Sequence, residues 1–177
     1  MNSSVDRLLK NYLNARKSFE AWCFMSGLDN HLNLINREVS EKVDKNPLLF
    51  HLRFLAMKDF NIELYKVLKN SPKNKDNIYN LLEKRIKSNP KNLSELEIVH
   101  KKLRDEEFVI KNLCDIRDKF YAHLDKNFEK YLSTRSNIVD IQNLFSIIEE
   151  AIIVLYSKEE LKTKLSSLHS RNDFNLY

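Results

Sequence analysis

Cys114-Asp115-Ile116-Arg117-Asp118-Lys119-Phe120-Tyr121-Ala122-His123-Leu124-Asp125 closes the most strongly patterned apolar segment of the chain. On a helical wheel advancing about 100° per residue, Ile110, Leu113, Cys114, Phe120, Tyr121 and Leu124 all fall within about 60° of Arg117. The period is helical, and an arginine stands at the centre of its apolar stripe. A guanidinium keeps its charge and must be paired or solvated, so this position demands a partner. His123 lies about 120° further round, beside Ile116 on the flank of the stripe. The two side chains can meet only through a third group, a bound ligand or a second copy of the helix.

Working outward, the composition supports an all-helical chain. Of 177 residues 42% are apolar, enough for one core and marginal for two. One glycine and three prolines leave few of the turn formers that a sandwich, a barrel or a Rossmann sheet needs. The expected fold is an elongated bundle of five to seven helices, a single domain over residues 1–168 with a polar tail from 169 to 177. The net charge of +5 permits attraction to RNA or DNA without demanding it, because both signs are interspersed. Cys23 and Cys114 form no Cys-x-x-Cys pair and sit in apolar surroundings, which implies buried thiols in a reducing compartment. No apolar run approaches the ~18 residues of a membrane span, and the N-terminus has no signal-peptide core. A cytoplasmic protein with no membrane association is expected.

Helix signals recur along the chain. Residues 4–26 are amphipathic, with Ser3 or Ser4 as a cap and Gly27 as a stop or bend; whether Gly27 divides two helices is left open. A shorter periodic piece runs from Leu28 to Val43. Asn46-Pro47 then starts a strong helix over 47–69, apolar over so wide a surface that it should pack on several neighbours, with His51 as a core or boundary histidine. A short helix spans about 77–88 and stops before Asn89-Pro90. Ser94 and Glu97 match a capping box opening a helix that can run unbroken to about residue 126, with the charged stretch Arg104 to Glu107 as solvated surface. A connection over 128–137 leads to a last major helix over 138–156, with Glu149 and Glu150 off its apolar face. Residues 157–168 either extend that helix or form another.

The chain has no His-Glu-x-x-His, glycine-rich phosphate loop, nucleophile elbow or local zinc-ligand cluster. Asp118 and Asp125 share one helix edge but stand two turns apart, about 10 Å along the axis, a poor spacing for a shared metal ion. No metal and no cofactor are expected. Arg117 and His123 offer better chemistry. An arginine holds phosphoryl oxygens and a histidine moves a proton near neutral pH. Those two functions suffice to cleave RNA by 2′-hydroxyl attack, Arg117 stabilising the developing charge and His123 assisting proton transfer. Periodicity alone favours a structural reading over this one, with Arg117 paired to a buried carboxylate and His123 ending a helix.

Arg117-Asp118-Lys119-Phe120-Tyr121-Ala122-His123 also resembles the signature of HEPN domains, an arginine followed after four to six residues by histidine, often with a polar residue directly after the arginine. The string through Asp125 is similar to the branch associated with bacterial abortive-infection systems. The resemblance covers about ten residues and, beyond them, only the helical layout. It implies a HEPN-like bundle that forms a homodimer by apposing its motif helices, with Leu113, Phe120, Tyr121 and Leu124 at the interface. It implies Arg117 and His123 as catalytic residues and Asp118 as the residue shaping the site. The implied activity is metal-independent endoribonuclease action in defence or toxin–antitoxin biology, with RNA as substrate and an antitoxin protein as a possible partner. The same family includes non-catalytic members, so a helical RNA-binding or protein-interaction module is the alternative. Lys119 and Lys126 are placed either to contact an RNA backbone or simply to face solvent. Asp125 stands where paired HEPN toxins commonly carry a modifiable tyrosine, so that mode of regulation is not expected here.

Overall fold

The computed structural model describes residues 2–28, 36–71, 73–88, 90–118, 138–156 and 160–164. Within them the chain is all-α. The helices are α1 (Asn2–Met25), α2 (Arg37–Lys45), α3 (Pro47–Leu68), α4 (Ile78–Lys87), α5 (Leu93–Asp105), α6 (Glu107–Ile116) and α7 (Ile138–Leu155), and residues 160–164 add one helical turn. No described helix is long and apolar enough to cross a membrane.

α1 and α3 pack along one another and, with α7, enclose an aromatic cluster. The Phe19 ring sits 5.4 Å from Phe60 and 5.0 Å from Phe145, while Trp22 lies 5.6 Å from Phe60. Phe19 and Phe145 are fully buried, so this cluster anchors three helices at once. α4 and α5 close the other side against α7, burying Ile78, Leu82, Leu96 and Leu103. Asn92 donates to the Val154 carbonyl at 3.1 Å and ties the start of α5 to the end of α7.

Local signals set several boundaries. Gly27 ends α1 at φ 68°, with Gly27 N–H donating to Phe24 and Leu28 N–H to Cys23, the paired bonds of a Schellman stop. Only glycine fits there: an added Cβ would stand 2.1 Å from the Asn36 carbonyl oxygen. Asn46 caps α3 through Leu48 N and Leu49 N, with Pro47 in the first turn.

Four expectations are corrected. Ser3 and Ser4 lie inside the first turn of α1, which begins one residue earlier. The Ser94–Glu97 box does not form, because α5 starts at Leu93 and its cap residue Asn92 makes no side-chain cap bond. The single long helix from 94 is divided at Glu106 (φ −92°, ψ 14°), within the charged stretch. The division lets α5 pack on α4 and α7 while α6 turns toward α3. His51 is exposed rather than at the core. α2 covers the side of α3 where Arg53 pairs with Asp44, and leaves uncovered the side that carries His51, Leu48, Leu52 and Leu55. The connection expected over 128–137 and the tail from 169 lie outside the described residues, as do 157–159 and 165–168 of the expected extension.

Candidate functional site

The ends of α3 and α6 lie side by side, and the groups worth attention meet there. Leu64, Val67 and Leu68 of α3 and Ile110, Leu113 and Cys114 of α6 are buried, fixing the register of the two helices. Tyr65 of α3 and Lys69, one turn on at the cap just past its end, then face Arg117 and Asp118 just past the end of α6. Lys69 is held from its own side as well. Its N–H donates to the Tyr65 carbonyl at 2.9 Å. Asn74 bonds back to the Lys66 carbonyl at 2.9 Å, and the fully buried Asn77 donates to the Asn74 carbonyl at 2.6 Å. The polar loop after α3 is thus pinned to the helix it leaves.

Among the described residues Arg117 has two partners. Its guanidinium carbon lies 4.2 Å from the Tyr65 ring centroid, a cation–π contact, and its Nη1 donates to Asp118 Oδ1 at 2.8 Å. Lys69 Nζ donates to the other carboxylate oxygen at 3.3 Å and lies 5.5 Å from the same ring. The Tyr65 hydroxyl lies near the same carboxylate, close enough for the two groups to shift each other's titration. Among the described residues one carboxylate thus bridges two cations.

This explains the arginine on the apolar stripe. Up to Cys114 the stripe faces the protein's own core. One turn later Arg117 is one-third exposed and lies against the ring of Tyr65, an apolar surface that tolerates a cation. Side-chain exposure is 33% for Arg117 and 37% for both Asp118 and Lys69, so the cluster is half-buried and its charges remain within reach of solvent. Leu113, expected at a dimer interface, is only 3% exposed within this one chain. Its side chain is already covered by the core that joins α6 to α3.

The electrostatics follow the geometry. Burial by itself would raise the Asp118 carboxyl, but the hydrogen bonds from Arg117 and Lys69, with the Tyr65 hydroxyl nearby, outweigh it and hold the group below the ordinary carboxylate range. Burial, then the charge of the nearby Asp118, push the Tyr65 phenol up. Burial works against the Lys69 ammonium, yet the hydrogen bond to Asp118 leads the influences that raise it. Cys114, beneath the cluster, is pushed up to about 11, chiefly by burial.

His123, Lys119, Lys126, Phe120, Tyr121, Leu124 and Asp125 lie outside the described residues. Among the described residues no three His, Cys, Asp or Glu side chains are grouped to hold a metal ion. Tyr65 and Lys69 are the members that sequence reasoning missed. Tyr65 reads as one more apolar position of α3 and Lys69 as its polar end. The available signal was their spacing, an aromatic and a cation at i and i+4 on one helix face. The chain matches no protein-family model, no curated protein and no solved structure. Its functional reading therefore rests on the motif and on this cluster.

Proposed function

We propose that this chain is a metal-independent endoribonuclease of a defence or toxin–antitoxin system, with a HEPN-like bundle that acts as a homodimer. The observation that carries the reading is the placement of Arg117: its guanidinium is oriented by a tyrosine ring, flanked by the second cation Lys69, and still one-third exposed. An arginine held this way meets a phosphodiester without first losing side-chain freedom.

In the proposed reaction the 2′-hydroxyl attacks the adjacent phosphorus and the 5′-oxygen departs. Arg117 neutralises the charge building on the phosphoryl oxygens, and His123 moves a proton to or from the reacting oxygens. Asp118 sets the orientation of Arg117. Two-fold symmetry would bring two such sets to one cleft, with Phe120, Tyr121 and Leu124 as the apolar surround and Lys119 and Lys126 along the RNA backbone. An antitoxin protein is the expected partner where the gene pair exists.

One observation favours a second reading. Arg117 is already ion-paired with Asp118, which suits a helical module of the same fold that binds RNA or protein without turnover. Incubation of mixed RNA with the purified protein in excess EDTA separates the two. Cleavage that persists in EDTA and disappears in Arg117→Ala and His123→Ala supports the nuclease. Binding with no cleavage supports the module, and cleavage indifferent to both substitutions overturns the assignment of the site.

A further inference from the structure

We infer that Lys69 and Arg117, seated against Tyr65, form a binding site for a phosphoryl group, and that the Asp118 carboxylate holds the place of its oxygens until the ligand arrives. The inference rests on the reading of the site as one that meets RNA, and it adds a residue, Lys69, that the arginine–histidine motif does not contain.

The geometry is that of a bridged anion. Asp118 gives one oxygen to Arg117 at 2.8 Å and the other to Lys69 at 3.3 Å, with the Tyr65 hydroxyl nearby. The non-bridging oxygens of a phosphodiester have nearly the spacing of carboxylate oxygens, so two cations that satisfy one anion satisfy the other. The cations come from different helices, yet both lie against one ring, at 4.2 and 5.5 Å from its centroid. The two cations thus converge on one ring, and the carboxylate between them keeps them poised. Asp118, the anion of the set, is the member an incoming anion would displace. It follows Arg117 directly in the chain, beyond the last residue of α6, and its side chain is 37% exposed. Swinging it into solvent exchanges one set of hydrogen bonds for water, while the incoming phosphoryl group takes over the two cationic donors. Asp118 thereby acts as a competitor built into the chain: it keeps Arg117 and Lys69 poised and lowers the affinity for any single phosphate.

The test uses the full chain, with inorganic phosphate and a short oligouridine as separate probes, followed by calorimetry and by fluorescence anisotropy. Asp118→Asn keeps the shape and removes the competing charge, and should bind inorganic phosphate about tenfold more tightly than the native chain. Adding Lys69→Gln to Asp118→Asn should abolish that gain. In the native chain, phosphate titration should shift the Arg117 Nε–H and Lys69 side-chain resonances together and saturably, a readout that stands even if a variant folds poorly. The inference is overturned if Asp118→Asn binds phosphate no tighter than the native chain, or if the gain survives loss of Lys69, or if phosphate leaves the Arg117 resonance unmoved. The oligouridine arm separates this from the wider reading. Phosphate exchange at the cluster with no oligouridine binding would uphold the site and sink the RNA assignment. Oligouridine binding that ignores Asp118→Asn and Lys69→Gln would do the reverse.

Discussion

Tyr65 is assigned the task of holding the Arg117 guanidinium, and the strength of that hold can be worked out and measured. Tyr65→Leu keeps a helix-compatible apolar residue and removes both the ring and the hydroxyl. The ring contact, at 4.2 Å with Arg117 one-third exposed, belongs in the weaker part of the cation–π range, about 1 kcal/mol. The hydroxyl only lies near Asp118, so Tyr65→Phe should stay within ~0.5 kcal/mol of the native chain. Tyr65→Leu should cost about 1 kcal/mol. Combining Tyr65→Leu with Arg117→Met isolates the ring–guanidinium term, and the cycle should return a coupling of about 1 kcal/mol. Urea unfolding followed by far-UV circular dichroism resolves this, since 1 kcal/mol moves the midpoint by ~0.5 M at a slope of about 2 kcal/mol/M. If the two substitutions add to within ~0.3 kcal/mol, the ring does not hold the arginine and the orientation ascribed to it is wrong.

Gly27→Ala should destabilise by more than the ~1–2 kcal/mol of a left-handed alanine, because the new Cβ also runs into the Asn36 carbonyl oxygen; a urea midpoint within error of the native one would contradict the Schellman stop. Cys114, pushed up to about 11 by burial, should carry ~100-fold less thiolate at pH 8 than an ordinary cysteine and react with Ellman's reagent only slowly until the chain is unfolded; rapid native labelling at Cys114 would count against its burial. Alkaline pH should weaken the fold. Burial pushes Cys114 to about 11 and Tyr79 to about 12, and burial followed by Glu149 and Asp6 pushes Tyr12 and Tyr156 up as well. Each group keeps its proton to a higher pH folded than unfolded, so its stabilisation is complete below the unfolded pKa of ~9–10 and is lost as pH rises through the folded value. Melting temperatures that hold steady from pH 8 to about 11 would contradict this.

How much the sequence disclosed depends on how local each determinant is. Asn46-Pro47 and Gly27 mark their boundaries because a cap, a fixed φ and a positive φ are properties of a few adjacent residues. The helical period of residues 47–69 and 138–156 survives for the same reason. The division at Glu106 was hidden because Val99, Leu103, Ile110 and Leu113 keep an unbroken period across it. What separates α5 from α6 is the choice of neighbour, α7 for one and α3 for the other, and that is set by the whole bundle. The same limit governs the site. Arg117 was conspicuous as a cation on an apolar stripe, and Asp118 as its neighbour. Tyr65 and Lys69 are about fifty positions away in sequence and join the cluster only through α3–α6 packing. The family resemblance implies an interface position for Leu113, whereas its burial beside α3 follows from that same packing. His51 was misplaced because its periodicity cannot reveal that α2 covers only one side of α3.

The proposed chemistry has Arg117 and His123 act on a phosphodiester through its neighbouring 2′-hydroxyl. A DNA strand carrying a single ribonucleotide, incubated with the native chain in EDTA and analysed for its ends, reads this step alone. One cut is expected, immediately 3′ of the ribose, leaving a 2′,3′-cyclic phosphate and a 5′-hydroxyl, with no cut in Arg117→Ala or His123→Ala. Cleavage of the all-deoxy strand, or products ending in a 5′-phosphate, would refute that chemistry.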